Sequence, residues 1–321
     1  MTDMTFGAFI PQGWKMDLAS IEGAEAKWAK AVEIGMLIES LGYDSMWVYD
    51  HFHNVPRPAN EAVFEAWTVM AAMSQRTTRV RLGQMVGCNS YRQPSVLAKI
   101  TSNIDVMSGG RLDWGIGAGW YEHEYKGYGF DFPAPKDRIG MLKECVEIVK
   151  SMWSEPSTTY NGKYYQLDGA QCDPKPLQQP HPPIWIGGGG EQLTLRVVAM
   201  YADCSNFGGT PEEFAHKCEV LKGHCKAVGR DYDEIRKTWG PELLVRHTEA
   251  EIGDKPGGLA GRAGTMEAWK NAHLVGTPEQ VCERIETYRK LGATGFTPWC
   301  VDYPSTETLE LFATEVIPNF R

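Results

Sequence analysis

Ile184-Trp185-Ile186-Gly187-Gly188-Gly189-Gly190 is a short apolar run that breaks into four consecutive glycines, and residues 191–201 behind it carry a helical pattern. The unit reads as strand, glycine turn, helix. Such a turn sets backbone N–H groups free of side-chain cover beside the positive end of a helix dipole, which suits a phosphate. The alternative is that the glycines only make a tight turn. The run lacks the Gly-Lys-Ser/Thr ending of a nucleoside triphosphate loop and the spacing of the dinucleotide fingerprint. A phosphate on some other carrier is therefore the expected guest.

The same alternation runs through the chain on both sides of this unit: short apolar runs, each followed by a longer amphipathic segment. Strands are expected at residues 5–10, 45–49, 80–86, 112–116, 184–186, 202–207, 235–245 and 295–301. Helices are expected at 27–41, 64–74, 95–107, 138–153, 191–201, 211–228 and 306–312. Eight strand units in one chain of 321 residues predict an α/β fold, a TIM (β/α)₈ barrel with insertions, over an open doubly wound sheet. No linker or composition break divides it, so residues 1–321 read as one domain. Two stretches exceed the bare repeat. Residues 154–183 place Asn161-Gly162 between β-rich flanks, a hairpin signal, before a proline-rich return. Residues 249–275 are glycine-rich and charged, readable as a lid or as surface decoration.

In such a barrel the chemistry sits where the strands end. The second strand runs out into Asp50-His51-Phe52-His53. Histidine handles protons near neutral pH, and a neighbouring aspartate can orient it. Asp50 as a cap and His51 as a satisfied core residue stand as the plainer alternative. The third strand ends Met85-Val86-Gly87-Cys88-Asn89-Ser90-Tyr91-Arg92, which offers small groups, donors and then a cation. The fourth ends Gly115-Ile116-Gly117-Ala118-Gly119-Trp120-Tyr121-Glu122; small residues there let a flat ring lie on backbone, or simply make room for packing. The sixth ends Asn206-Phe207-Gly208-Gly209 and the eighth Trp299-Cys300-Val301-Asp302. A flat, aromatic mouth with a phosphate niche suits a phosphorylated ring cofactor.

Composition narrows the partners. The net charge of −9 argues against general nucleic-acid binding. No apolar run has the length of a membrane span and no leader pattern opens the chain, so a cytoplasmic protein without membrane contact is expected. Eight cysteines without a CxxC pair read as reduced thiols. Cys218 and Cys225 near His216 and His224 lie in a polar helical stretch, and no metal site is expected there.

The Asp50-His51-Phe52 strand end, the Leu82-Gly83 strand with its polar exit, the run from Arg111 to Trp120, the Ile184–Gly190 loop and Gly276-Thr277-Pro278-Glu279-Gln280-Val281 occur in an order that resembles the bacterial luciferase-like superfamily. The resemblance spans nearly the whole chain and is nearest to the branch using coenzyme F420, a deazaflavin. It implies a barrel with a cofactor across its mouth. By that resemblance Asp50 would contact the deazaflavin and orient His51, the acid–base group near its reactive carbon. A non-proline cis peptide would fall near Met85-Val86, and Cys88 stands where relatives often carry threonine. Ala118, Gly119 and Trp120 would line the ring, and Gly187, Gly188, Gly189 and Gly190 the phosphate. Trp14, Phe52, His53, Tyr121 and Trp299 would wall the substrate pocket, whose aromatic character suits an apolar or carbonyl-bearing small molecule. Trp120 replaces the glutamate that sugar-phosphate dehydrogenases of the family carry, which argues against that substrate. The implied reaction is hydride transfer at the deazaflavin C5. The rival readings are an FMN-dependent luciferase-like monooxygenase and a non-catalytic flavin- or deazaflavin-binding protein. Members of that superfamily are often dimers, so the resemblance allows a homodimer.

Overall fold

The computed structural model describes residues 4–56, 58–253 and 264–321. Its strands are β1 (Thr5–Phe9), β2 (Ser45–Val48), β3 (Arg81–Gln84), β4 (Gly87–Cys88), β5 (Leu112–Gly117), β6 (Thr158–Asn161), β7 (Gln166–Ala170), β8 (Ile184–Gly187), β9 (Cys204–Asn206), β10 (Arg236–Trp239), β11 (Glu242–Val245), β12 (Leu274–Gly276), β13 (Gly295–Phe296) and β14 (Trp299–Cys300). β1, β2, β3, β5, β8, β9, β10 and β13 pair in that order, all parallel, and β13 returns to β1. The sheet therefore closes into an eight-stranded barrel. All eight strands end on one face, the mouth.

Inside the barrel, shape rather than polarity sets the register. Trp47 and Trp185 meet edge to face with ring centroids 4.6 Å apart, both fully buried. Gly7 and Gly83 make room for them. A Cβ on Gly7 would lie 2.4 Å from Trp47 Nε1, and one on Gly83 2.3 Å from the same ring. Toward the closed end, Arg81 grips the buried Asp113 through Nε (3.0 Å) and Nη2 (2.8 Å).

The helices are α1 (Ala24–Ser40), α2 (Ala66–Ser74), α3 (Pro94–Met107), α4 (Glu122–Gly127), α5 (Pro135–Ser154), α6 (Thr194–Tyr201), α7 (Pro211–Val228), α8 (Glu249–Ile252), α9 (Met266–Ala272), α10 (Pro278–Lys290) and α11 (Glu307–Leu311). Their starts are written locally. Proline occupies the first turn of α3, α5, α7 and α10, where its missing N–H costs nothing. Thr210 with Glu213 and Thr277 with Gln280 form capping boxes. Gly229, at φ 72°, ends α7 in the left-handed conformation.

Four expectations need correction. The helix behind the glycine run starts at Thr194, not residue 191, because residues 191–193 form a turn in which the Leu195 N–H reaches back to the Gly190 carbonyl. The strands expected at 235–245 and 295–301 each break at a proline, Pro241 and Pro298, which cannot donate to a ladder. Beyond the breaks, β11 and β14 form a second parallel sheet with β12, in the order β12-β11-β14. The hairpin β6–β7 is present, but Asn161 pairs with Gln166, so its loop is residues 162–165 rather than a two-residue turn. The stretch read as a lid contains α8 and α9; residues 254–263 between them lie outside the described residues. The helices α4 and α10 carry no counterpart in the expected list. Among the described residues no helix is long and apolar enough to cross a membrane.

Candidate functional site

A cavity of about 430 Å³ opens at the barrel mouth. Its wall takes Trp14 from the segment after β1, Tyr49, Asp50 and His51 from the end of β2, and Met85 to Cys88 from the exit of β3. Gly117 to Tyr121, Gly187, Gly188 and Asn206 complete it from the ends of β5, β8 and β9, with Arg138 and Ile139 of α5 and Thr194 of α6. The end of β2 is pinned from outside the site. Gln12, 1 % exposed, accepts the Tyr49 N–H at 2.5 Å and donates to the Tyr49 carbonyl at 3.1 Å.

His51 lies flat on Trp14, with ring centroids 4.0 Å apart and planes 6° from parallel. Trp120 meets it edge-on at 5.8 Å. Its Nδ1 sits 2.8 Å from Oε2 of Glu124, a side chain with no exposed surface. That carboxylate is fully engaged. Oε1 accepts the backbone N–H of Phe52 (2.7 Å) and of His53 (2.9 Å), and Oε2 also accepts the Tyr91 hydroxyl (2.7 Å). Burial opposes ionisation of Glu124, but His51, the His53 N–H and Tyr91 outweigh it and hold its pKa below the usual glutamate value. An ionised carboxylate only accepts, so His51 donates from Nδ1. Nε2 makes no hydrogen bond among the described residues.

Asp50 does not orient His51. Its buried carboxylate takes both Arg92 Nη atoms, at 2.7 and 3.0 Å, and the Cys88 N–H at 2.9 Å. The reason is direction: successive residues at a strand end point to opposite sides, so Asp50 meets the β3 exit while His51 meets α4. Arg92 continues to Glu65 at 2.6 Å. Burial works against the Arg92 charge, yet Asp50 and Glu65 raise its pKa above the ordinary value.

The Met85-Val86 peptide bond is cis. Val86 projects between two strand-end glycines: a Cβ on Gly117 would stand 2.7 Å from Val86 Cγ2, and one on Gly187 2.8 Å from Cγ1. Gly115 has the same character, since its Cβ would fall 1.7 Å from the Gln84 carbonyl oxygen. These glycines make room for packing and, at 117 and 187, also leave bare backbone in the cavity wall. Gly119, at φ 75°, is confined by Tyr125 Oη and Cys88 Sγ, 2.0 and 2.6 Å from its would-be Cβ. Burial, with the Asp50 carboxylate nearby, pushes the Cys88 thiol up to about 12, against a hydrogen bond with Tyr125 at 3.0 Å.

Of the expected site residues, Asp50, His51, Met85, Val86, Cys88, Ala118, Gly119, Trp120, Gly187, Gly188, Trp14 and Tyr121 face this one cavity. Gly189 and Gly190 do not; the Gly189 carbonyl accepts from Lys217 Nζ at 3.0 Å. The Gly188 N–H is spent on the Asn206 carbonyl (3.0 Å), so the loop offers fewer free donors than four glycines suggest. Phe52 turns away to pack on Tyr91 and Tyr128. His53 pairs outside with His123, their Nδ1 atoms 2.8 Å apart. Trp299 is 3 % exposed and buried beneath Lys15, donating to Asp17 at 3.2 Å. Cys218 and Cys225 point into the core while His216 lies on the surface against Glu191.

Glu124, Tyr91, Arg138, Gln12, Tyr49 and Thr194 belong to the site or its support and were not singled out as site residues from the sequence. Glu122 and Glu124 flank His123 with nothing local to say which turns inward. Arg138, 8 % exposed, holds the Pro133 carbonyl and lies over Phe132, and its Nε has no partner among the described residues.

The family model described as luciferase-like monooxygenase matches residues 4–266. An F420-dependent glucose-6-phosphate dehydrogenase of Amycolatopsis mediterranei is 33 % identical over 321 residues, covering 90 % of this chain and 94 % of its own. Among solved structures, an F420-dependent secondary alcohol dehydrogenase in complex with an F420-acetone adduct superposes with a TM-score of 0.82 at 22 % identity over all of both chains. EDTA monooxygenase from Chelativorans sp. BNC1 reaches the same TM-score at 16 % identity, over 99 % of this chain and 93 % of its own. At those identities the two structures speak for the fold alone.

Proposed function

The chain belongs to the luciferase-like monooxygenase family, and on that premise we propose that it is an oxidoreductase that uses coenzyme F420 to move a hydride to or from a small organic substrate. The observation that carries the reading is a full-length relative named for F420 dependence. The cavity fits such a group. It has the volume of a cofactor cleft, a slot walled by the bare backbone of Gly117 and Gly187 to Gly188, an apolar floor at Met85, Val86 and Ile139, and one imidazole at its rim. Adding a Cβ to Gly117 or Gly187 would drive Val86 out of place, so the slot depends on those glycines.

When bound, the deazaflavin supplies a carbon that takes or gives a hydride. The chain's part is to bind, orient and exchange the proton. Ala118, Gly119 and Trp120 would hold the ring, with Gly187 and Gly188 toward the phosphate. Arg138, which lines the cavity and whose Nε has no partner among the described residues, would supply positive charge for the anionic tail. His51, whose Nε2 has no partner among the described residues, would take a proton from a substrate hydroxyl as its C–H hydride leaves, and return it to the carbonyl oxygen in reverse. Asp50 would act on the cofactor through the Cys88 N–H and Arg92 frame rather than on His51.

The substrate that suits this mouth is a small alcohol or carbonyl compound with an apolar body. Trp120, 56 % exposed, stacks with Tyr121 at 5.1 Å over His51. Arg92 is committed to Asp50 and Glu65, and Lys217 to Gly189 and Glu191, which leaves little for a sugar phosphate. The same proposal includes one domain over the chain, a homodimer and a cytoplasmic setting, the last in keeping with eight free cysteines.

Titration of the purified protein with F420 and, separately, with FMN tests the reading through quenching of cofactor fluorescence. Tight F420 and weak FMN binding is expected. Preference for FMN would turn the assignment to a monooxygenase, and binding of neither would remove the cofactor.

A further inference from the structure

We propose that Glu124, held by Tyr91 and two backbone N–H groups, is the positioning residue that fixes which nitrogen of His51 carries the proton, and that its amide variant reverses that choice. The role rests on the reading of His51 as the proton-exchange group, but the geometry behind it is independent of any cofactor.

The four contacts of Glu124 divide cleanly between its oxygens. Oε1 faces only donors that cannot rotate away, the backbone N–H of Phe52 and of His53. Oε2 faces the Tyr91 hydroxyl and His51 Nδ1, both of which can reverse polarity. In the native chain every one of these bonds ends on a carboxylate oxygen, so the neutral form of His51 carries its proton on Nδ1 and leaves the lone pair of Nε2 for a substrate hydroxyl. Trp14, stacked flat on the ring, keeps the imidazole from rotating out of that bond.

Glu124→Gln changes one atom of a fully buried side chain. The amide oxygen must take the Oε1 place, because an NH₂ there would confront two backbone N–H donors. The NH₂ then falls at the Oε2 place, where it donates to His51 Nδ1 and to the Tyr91 oxygen. His51 is forced to carry its proton on Nε2, and the cavity is presented with an N–H in place of a lone pair. Neutral His51 can then no longer receive a proton from an alcohol. A carboxylate-to-amide change behind a catalytic imidazole is known to slow turnover by about 10⁴-fold through the wrong tautomer. Asp50 cannot substitute, since its oxygens are taken by Arg92 and the Cys88 N–H.

The experiment is ¹⁵N-histidine NMR on the full chain without cofactor, with His51→Gln identifying the His51 signals by their loss. The native protein is expected to show neutral His51 protonated at Nδ1, and Glu124→Gln to show it protonated at Nε2. Asp50→Asn and Tyr91→Phe should both retain the native form, because the Glu124 carboxylate is still there. A native His51 protonated at Nε2, or averaging between both forms, overturns the proposal whether or not the variant folds. An unchanged tautomer in a folded Glu124→Gln, or reversal in Asp50→Asn, overturns it as well. Since no cofactor is present, failure here is distinct from failure to bind F420. With an active substrate, kcat for alcohol oxidation should fall at least 100-fold in Glu124→Gln with KM changed by less than about threefold.

Discussion

Asp50→Asn is the most direct test of how this mouth is held together. Asp50 is 2 % exposed, and its three bonds tie the end of β2 to the exit of β3 through Arg92 and the Cys88 N–H. The amide keeps the shape but removes the charge, and one of its ends must present N–H to the guanidinium or to the Cys88 N–H. Breaking a buried pair from one side costs about 3–5 kcal/mol, because the partner charge is left without compensation. Glu65 retains Arg92 Nη2 at 2.6 Å, which places the loss near the low end, ~3 kcal/mol. Unfolding entropy of about 2.1 cal/mol/K per residue gives a chain of this length roughly 0.7 kcal/mol/K, so Tm should fall by about 4–5 °C. Adding Arg92→Met removes the stranded charge, and the double variant should recover part of the loss. Thermal and urea melts of the native chain, both single variants and the double variant should give a coupling of at least about 1.5 kcal/mol. Additivity of the two single effects to within about 0.5 kcal/mol would refute the claim that Asp50 is spent on Arg92.

The remaining expectations concern the cavity wall and the titrating groups. Gly187→Ala pushes against both Val86 methyls; stability should drop by about 1–3 kcal/mol while F420 affinity in the fluorescence titration falls more than tenfold, and an unchanged affinity would show that the wall tolerates the shift. Cys88, with its thiol pushed up to about 12, is thiolate in only about one molecule in 10⁴ at pH 8, so mass-spectrometric footprinting with iodoacetamide should leave it unmodified until the chain unfolds. Glu124 has a folded pKa below its unfolded value of 4.5, so its contribution is complete above that value and is lost as pH falls through the depressed one. Urea melts at pH 6 and pH 3.5 should therefore show a larger loss for the native chain than for Glu124→Gln. Trp120→Ala, at an exposed position, should leave Tm within about 1 °C while raising KM for apolar substrates, and a large fall in Tm would mean that the ring is structural.

The barrel was legible because its signals are local. Alternating apolar runs, prolines at helix starts and the threonine caps of α7 and α10 act within a few residues, so eight strands and most helices can be read along the chain. Element ends were less legible. Whether residue 191 or Thr194 opens α6 depends on a carbonyl reached from five residues away. The glycine mouths were visible too, as was the Asp50-His51 strand end, but their partners were not. Asp50 finds Arg92 42 residues on, and His51 finds Glu124 73 residues on. Gln12 pins Tyr49 across 37. Hydropathy cannot say which of Glu122 and Glu124 faces inward on a six-residue helix, nor that Phe52 and His53 turn out while His51 turns in. Backbone periodicity and turn chemistry are short-range, so the order of residues along the chain suffices for the repeat, the mouth and the residue types gathered there. Which carboxylate serves which cation or imidazole follows from the closed barrel, because closure sets the distances and the burial that make one pairing far stronger than its neighbours.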